Sequence, residues 1–435
     1  MSDQPGASSA PRTSKLSKPL KLSLSAFFTL SFAAGGITWD GWRAFGERPD
    51  ASRLERMQTS PNWSGDRFVN PLPTRQAEFS KALGEFTKPK GQTVPDSPIP
   101  VDTLGAEAFA TPPESGLRIT WFGHSSFLIE IDERRVLVDP MFSERASPLS
   151  WIGPRRFHAP PIPINQLPPV DAVVISHDHY DHLDLPTIRA LRERVPLFIA
   201  PLGVGAHLAY WGVEPERIVE LDWWEAHSVD GLTLTATPAR HFSGRSLVTA
   251  GRNGTLWAGW VVAGERHRVF YSGDTGMFPG FAQIGERLGP FDATLIETGA
   301  YNRVWTDLHI GPEQAVQARL DLGSGLFIPV HWGTFDLARH AWTEPAERVL
   351  QAAADAGVAI AIPRPGQQIE PASPPDPQRW WPSIPWRTAE EDPIVSSGMS
   401  GDLPAPAPAD APAAEPSTEP TAEPSASESE SPAGS

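Results

Sequence analysis

The sequence predicts an α/β fold in which two β-sheets pack together with helices outside. Three observations predict it. Residues 117–139 read as successive short strands. From residue 171 onward, strands alternate with helical segments. The side chains with metal-binding chemistry stand just beyond strand ends, where α/β folds collect functional groups. At 435 residues, 40% hydrophobic and 20% charged, the chain can bury a sizeable core and still carry tails.

The elements follow in order. Apolar alternation marks strands at 117–121, 127–131 and 135–139. Residues 171–176 read as a buried strand, with an unbroken apolar run at 172–175 as a strand buried on both faces has. Residues 185–194 and 203–211 are helical, each followed by a short strand, at 197–200 and 218–221. Further strands are expected at 232–237, 255–263 and 267–272, the last two joined through Gly264-Glu265. Residues 292–297 and 326–330 read as strands. Pro312 suits a first helical turn, so 312–321 is a helix. Thr343 can cap a helix that ends near Gly357.

Four segments follow from composition. Residues 1–38 hold a polar start and an apolar run at 22–37, preceded by Lys15, Lys18 and Lys21. That is the layout of a secretory signal or membrane anchor, with the body on the extracytoplasmic side. A cytoplasmic, membrane-peripheral protein is the alternative. Residues 39–114 read as an irregular extension over the core, and 115–371 as the regular α/β domain. Residues 372–435 are a Pro/Ala/Glu-rich tail, expected to be disordered after about 392. The net charge of −16 divides accordingly: +3 on residues 1–38, −9 on 39–389 and −10 beyond. Such acidity excludes broad electrostatic binding of nucleic acid. Zero cysteine excludes thiolate nucleophiles, disulfides and Cys-ligated metals. Any metal must therefore rest on His, Asp and Glu.

The central feature is Ser176-His177-Asp178-His179-Tyr180-Asp181-His182-Leu183-Asp184, directly after the buried strand 171–176. Three imidazoles and a carboxylate this close would repel and desolvate badly without a cation. Zinc answers that need with nitrogen and oxygen ligands. On a loop leaving a strand, His177 and His179 can serve one ion, and Asp181 with His182 a second. Later strand ends supply His241, Asp274 and His331.

This pattern resembles the metallo-β-lactamase fold superfamily, a four-layer αββα sandwich of two mixed sheets flanked by helices. The resemblance implies that His177, His179 and His241 bind one Zn2+. Asp181, His182 and His331 would bind a second, with Asp274 shared. Asp139 would support the ligands from behind, as would His124 and Asp184. Within the superfamily the chain looks most like the N-acyl-phosphatidylethanolamine-hydrolysing phospholipase D branch, from about Arg67 to Gln368. The specific stretches are Phe142-Ser143-Glu144-Arg145-Ala146-Ser147-Pro148, Glu220-Leu221-Asp222-Trp223-Trp224-Glu225 and His331-Trp332-Gly333-Thr334-Phe335. A departure is Phe242 after His241, where the branch commonly has Trp.

The resemblance implies a phospholipase D-type phosphodiesterase. A hydroxide shared by two zinc ions would attack phosphorus, releasing phosphatidic acid and an N-acylethanolamine. Asp274, Asp181 and His309 are the candidate catalytic residues, and His309 and Tyr301 the candidate substrate contacts. Trp223, Trp224 and Trp305 are candidates for an acyl groove. The expected partners are a phospholipid or other phosphodiester and a membrane surface, with a homodimer possible. The rival readings are a lactonase or sugar-phosphate hydrolase on the same fold, and a membrane-tethered binding protein without catalysis.

Overall fold

The computed structural model describes residues 41–74, 90–245 and 252–397. The apolar run at 22–37 and the acidic tail beyond 397 lie outside these residues. Among the described residues, no helix is long and apolar enough to cross a membrane.

The extension is more structured than its composition suggests. Helix α1 (Ala51–Gln58) starts at Asp50, whose carboxylate accepts the Arg53 amide. A two-strand hairpin follows, β1 (Trp63–Ser64) with β2 (Arg67–Phe68). Met57 and Phe68 reach the main core, and Arg53 pairs with Glu220 at 2.7 Å.

The first sheet takes β3 (Leu117–Gly123), β4 (Ser126–Ile131), β5 (Arg134–Val138), β6 (Ala172–Val174), β7 (Phe198–Pro201) and β8 (Ile218–Leu221). Strands β3 to β5 are antiparallel, and β5 to β8 are parallel. The second sheet takes β9 (Ala226–Val229), β10 (Leu232–Thr237), β11 (Gly259–Ala263), β12 (Arg268–Tyr271), β13 (Ala293–Glu297) and β14 (Leu326–Val330). Here β9 to β12 are antiparallel and β12 to β14 parallel. A last strand, β15 (Gln368–Ile369), returns to the edge of the first sheet beside β3. Strands β9 and β15 were not expected from sequence, because each is short, polar and set by its partner.

Period-two alternation assigns the faces. Phe127, Ile129, Val136, Val138, Ala172 and Val174 enter the core between the sheets. Their neighbours Leu128, Leu137 and Val173 join a second core with α2 (Leu185–Leu191) and α3 (Gly205–Tyr210). Helices α4 (Gly280–Leu288), α5 (Pro312–Asp321) and α6 (Glu344–Ala356) contribute Ile284, Val316 and Val349 to the cluster that holds the second sheet. The four-layer αββα sandwich expected from the sequence is therefore present.

Two local expectations are corrected. Gly357 does end α6 with a left-handed φ of 65°, but the Thr343 hydroxyl makes no cap bond and is buried without a partner. The packed chain also runs past residue 392. Trp380 stacks on Trp332 at 5.2 Å between ring centroids, and the Ser396 hydroxyl donates to Thr306 O at 2.6 Å. Aromatic and hydroxyl partners on the body outweigh the local Pro-rich bias.

Candidate metal centre

The site forms where parallel strands of both sheets end. Strand β6 delivers His177, β10 delivers His241, β12 delivers Asp274, and β14 delivers His331. Strand β3 ends beside Gly123 and His124, and a register shift between Trp121 and Gly123 lets the chain turn there. His124 and His331 both adopt left-handed backbone, with φ of 54° and 65°. The His331 amide donates to His124 O at 3.0 Å, so each corner fixes the other. Such conformations cost on the order of 1–3 kcal/mol each and persist because the surroundings dictate them.

Asp274 Oδ2 stands at the centre. It lies 3.1 Å from His331 Nε2, 3.2 Å from His182 Nε2, 3.7 Å from His241 Nε2 and 3.8 Å from His177 Nε2. His179 Nδ1 closes one side, 2.8 Å from His177 Nε2 and 3.3 Å from His241 Nε2. Asp181 Oδ2 closes the other, 2.8 Å from His124 Nε2, 3.4 Å from His331 Nε2 and 3.5 Å from His182 Nε2. Three overlapping four-residue groups result among the described residues, each with ligand atoms mutually within 4.8 Å: His177, His179, His241 and Asp274; His124, Asp181, His182 and His331; and Asp274, Glu297, His309 and His331. Among the described residues, His182 Nε2, His331 Nε2 and Asp274 Oδ1 are buried with no hydrogen-bond partner. Orphaned buried atoms of this kind are costly unless something binds them. A divalent cation with nitrogen and oxygen ligands fits this donor set.

A ring of supporting bonds orients the imidazoles. His182 Nδ1 meets Asp139 Oδ2 at 2.8 Å, and His241 Nδ1 donates to Leu308 O at 2.7 Å. Asp139 also accepts from the Ser176 amide, the Ser176 hydroxyl and the Tyr271 hydroxyl, at 2.7, 2.5 and 2.6 Å. Each held nitrogen leaves its ring partner directed at Asp274.

The electrostatics divide the cluster. Burial, aided by neighbouring imidazoles, holds His177 well below its usual range. Burial also holds His241 well below its range, against the pull of Asp274. Burial opposes charge on His331 too, but Asp274 and Asp181 outweigh it and push His331 up to about 10. His182 is raised well above its range in the same way. Burial likewise opposes charge on Asp274, yet His182 and His331 keep its carboxyl well below the carboxylate range.

His309 joins the site, with Nδ1 3.9 Å from Asp274 Oδ2 and 3.1 Å from Glu297 Oε2. Burial lowers it to about 4. His179, Asp181 and His309 are the partly exposed members, so they mark the open side. Glu297 was missed in the sequence. It ends β13, is fully buried, and accepts the amides of Thr275 and Ile310 at 2.9 Å each. Burial first, then Asp274, raise its carboxyl well above the usual range. The available signal was a lone acid closing the apolar run 293–296.

Three sequence expectations are corrected. Tyr301 does not face a substrate: it is 1% exposed and its hydroxyl donates to Glu344 Oε1 at 2.9 Å. Asp184 bonds to the Ser143 and Thr187 hydroxyls rather than to any clustered imidazole; it stands at the N-cap of α2, the other role its sequence position allows, and pins the 142–143 loop there. Trp223 is core, its indole donating to Trp257 O at 2.7 Å. Trp224 and Trp305 are half-buried, the first under Arg287 at 4.0 Å and the second donating to Ala300 O.

Residues 134–332 match the family model described as the Beta-lactamase superfamily domain. The chain is 47% identical over 369 residues to an uncharacterised protein of Mycobacterium tuberculosis, covering 81% of this chain and 96% of that protein. It is 35% identical over 312 residues to N-acyl-phosphatidylethanolamine-hydrolyzing phospholipase D 1 of Caenorhabditis elegans, covering 68% of this chain and 85% of that relative. Among solved structures it is similar to Igni18, a metallo hydrolase of Ignicoccus hospitalis. That match has 22% identity and a TM-score of 0.46, and covers 58% of this chain and 97% of the other. With its strand-end histidines and carboxylates, the chain belongs to the metal-dependent hydrolases of the metallo-β-lactamase superfamily, in the branch of the N-acyl-phosphatidylethanolamine-hydrolysing phospholipases D.

Proposed function

We propose that this enzyme hydrolyses the phosphodiester of N-acyl-phosphatidylethanolamine, releasing phosphatidic acid and an N-acylethanolamine. The observation that carries the reading is the convergence of buried, unpartnered ligand atoms on Asp274. The similarity to the nematode phospholipase D supplies the substrate class. In this reading two Zn2+ are held, one by His177, His179 and His241, the other by Asp181, His182 and His331, with Asp274 shared. When bound, the cations lower the pKa of water and offset the charge of the phosphate oxygens.

The protein's own residues do the rest. Asp139, Leu308 O and Glu297 fix the rings of His182, His241 and His309 before substrate arrives. His309, neutral and on the open side just before α5, binds a phosphate oxygen of the substrate through a ring N–H. The P–O bond to the N-acylated ethanolamine breaks, and water supplies the new oxygen on phosphorus. His124 holds Asp181 at 2.8 Å. The apolar run at 22–37 would bring the body to a membrane, where the substrate resides.

Zinc-loaded protein incubated with N-acyl-phosphatidylethanolamine tests the reading, with products identified by mass spectrometry. Release of phosphatidate with N-acylethanolamine is expected. Lactone turnover without turnover of any phosphodiester would overturn it.

A further inference from the structure

A cavity of about 630 Å³ lies beside the His loop. Tyr180 and Asp184 line it, but none of the clustered imidazoles does. Arg43, Arg145 and Arg189 converge on it from three separate segments. The body of this chain is acidic, so these three guanidinium groups, with Arg245 as a fourth arginine in the wall, run against its general balance. Among the described residues, none of the three forms an ion pair. Arg145 reaches only the Gly153 carbonyl, at 2.6 Å. The two acids in the wall are engaged elsewhere: Glu144 pairs with Arg155 at 2.5 Å, and Asp184 is held by Ser143 and Thr187. Burial and the adjacent Arg43 and Arg192 lower the pKa of Arg189, as like charges without a counterion do.

Exposed apolar side chains stand nearby: Trp42, in the cavity wall, is 69% accessible, and Trp151 and Ile152, which follow the wall residue Ser150 in sequence, are 54% and 52% accessible. They stand on adjoining segments, since a Cβ on Gly41 would come within 2.5 Å of Leu149 Cδ2. Trp42 follows the apolar run at 22–37 closely in sequence. Aromatic residues flanking basic ones suit the headgroup region of a bilayer, and arginine forks match phosphate oxygens.

We propose that this cavity is a non-catalytic phosphate site that takes the headgroup of an acidic phospholipid in a bilayer, with Trp42, Trp151 and Ile152 seated in the interface. Tyr180 ties it to the active site. Its hydroxyl donates to the Arg245 carbonyl, and the Arg245 guanidinium lies 4.1 Å from its ring centroid. That guanidinium donates to the carbonyls of Asp178 and Leu183 on the His loop. A bilayer held here would sit against the outer wall of the metal centre.

The test is co-sedimentation of the full chain with phosphatidylcholine vesicles containing or lacking phosphatidate, with no N-acylated lipid. Its outcome is therefore independent of the proposed substrate. Each basic residue at an acidic surface contributes about 1 kcal/mol. The R43Q/R145Q/R189Q variant should lose on the order of 100-fold in affinity for phosphatidate vesicles. R43Q/R189Q keeps the Arg145–Gly153 bond and should lose roughly 30-fold. The Lys15, Lys18 and Lys21 contribution is common to all three proteins. Unchanged binding by the variants, with circular dichroism showing an intact fold, overturns the proposal. Calorimetry with glycerol 3-phosphate separates the sources of phosphate. Soluble ligand binding as tightly as the vesicles would overturn the bilayer assignment.

Discussion

His182 lies between two carboxylates, with Nδ1 2.8 Å from Asp139 Oδ2 and Nε2 3.2 Å from Asp274 Oδ2. One acid fixes the ring and the other shares the ligand pocket. Asp139 is fully buried and also accepts from Ser176 and Tyr271, so its position is set from three elements. Asp139→Asn would leave the fold while disturbing the His182 tautomer. We expect metal affinity or activity to fall about 10- to 100-fold, read by metal analysis of purified protein alongside turnover.

Asp274→Asn and His179→Ala remove members of the cluster itself. Both should lose metal and activity together, with turnover down roughly 10³-fold or more, since the site's charge stabilisation rests on the bound cations. Full activity with intact metal content in either protein would sink the ligand assignment.

His309 touches the centre from the open side and is held by Glu297. His309→Gln should therefore keep its metal and lose kcat by about 10²- to 10³-fold. Loss of metal on this substitution would make His309 a ligand instead.

Removing metal should also lower stability. The apo protein leaves His182 Nε2, His331 Nε2 and Asp274 Oδ1 buried without partners. At metal 1,000-fold above Kd, binding stabilises the fold by about 4 kcal/mol. Calorimetry with and without chelator should show Tm falling on metal removal and recovering on zinc addition.

His158 gives a pH dependence away from the ligands. Its Nδ1 donates to Ala159 O at 2.8 Å, and burial, reinforced by Arg156, lowers its pKa to about 3. The folded state keeps it neutral while the unfolded chain binds a proton near its usual 6.5. Its contribution is thus present above about pH 6.5 and declines toward pH 3. Between pH 7 and 5 it should reach about 2 kcal/mol of lost stability. Urea unfolding of His158→Gln should show that much less pH dependence than the parent.

Much of this protein could be read locally. The apolar strands at 117–139 and 171–176, and the Pro-started helix 312–321, depend on near neighbours, so pattern revealed them. The loop from His177 to His182 declared its chemistry because five ligand-type side chains stand within six residues. Only the tertiary structure decided which way more distant side chains face. Glu297 and Tyr301 stand four residues apart, yet pairing of β13 with β12 and β14 turns Glu297 toward the site, while Glu344 of α6 draws Tyr301 away. Residues 372–397 look like tail by composition, but Trp380 and Trp381 find Trp332 and Glu347 on the body. A residue's type and spacing limit what it can do. Strand register and the partners brought from far along the chain decide where it does it.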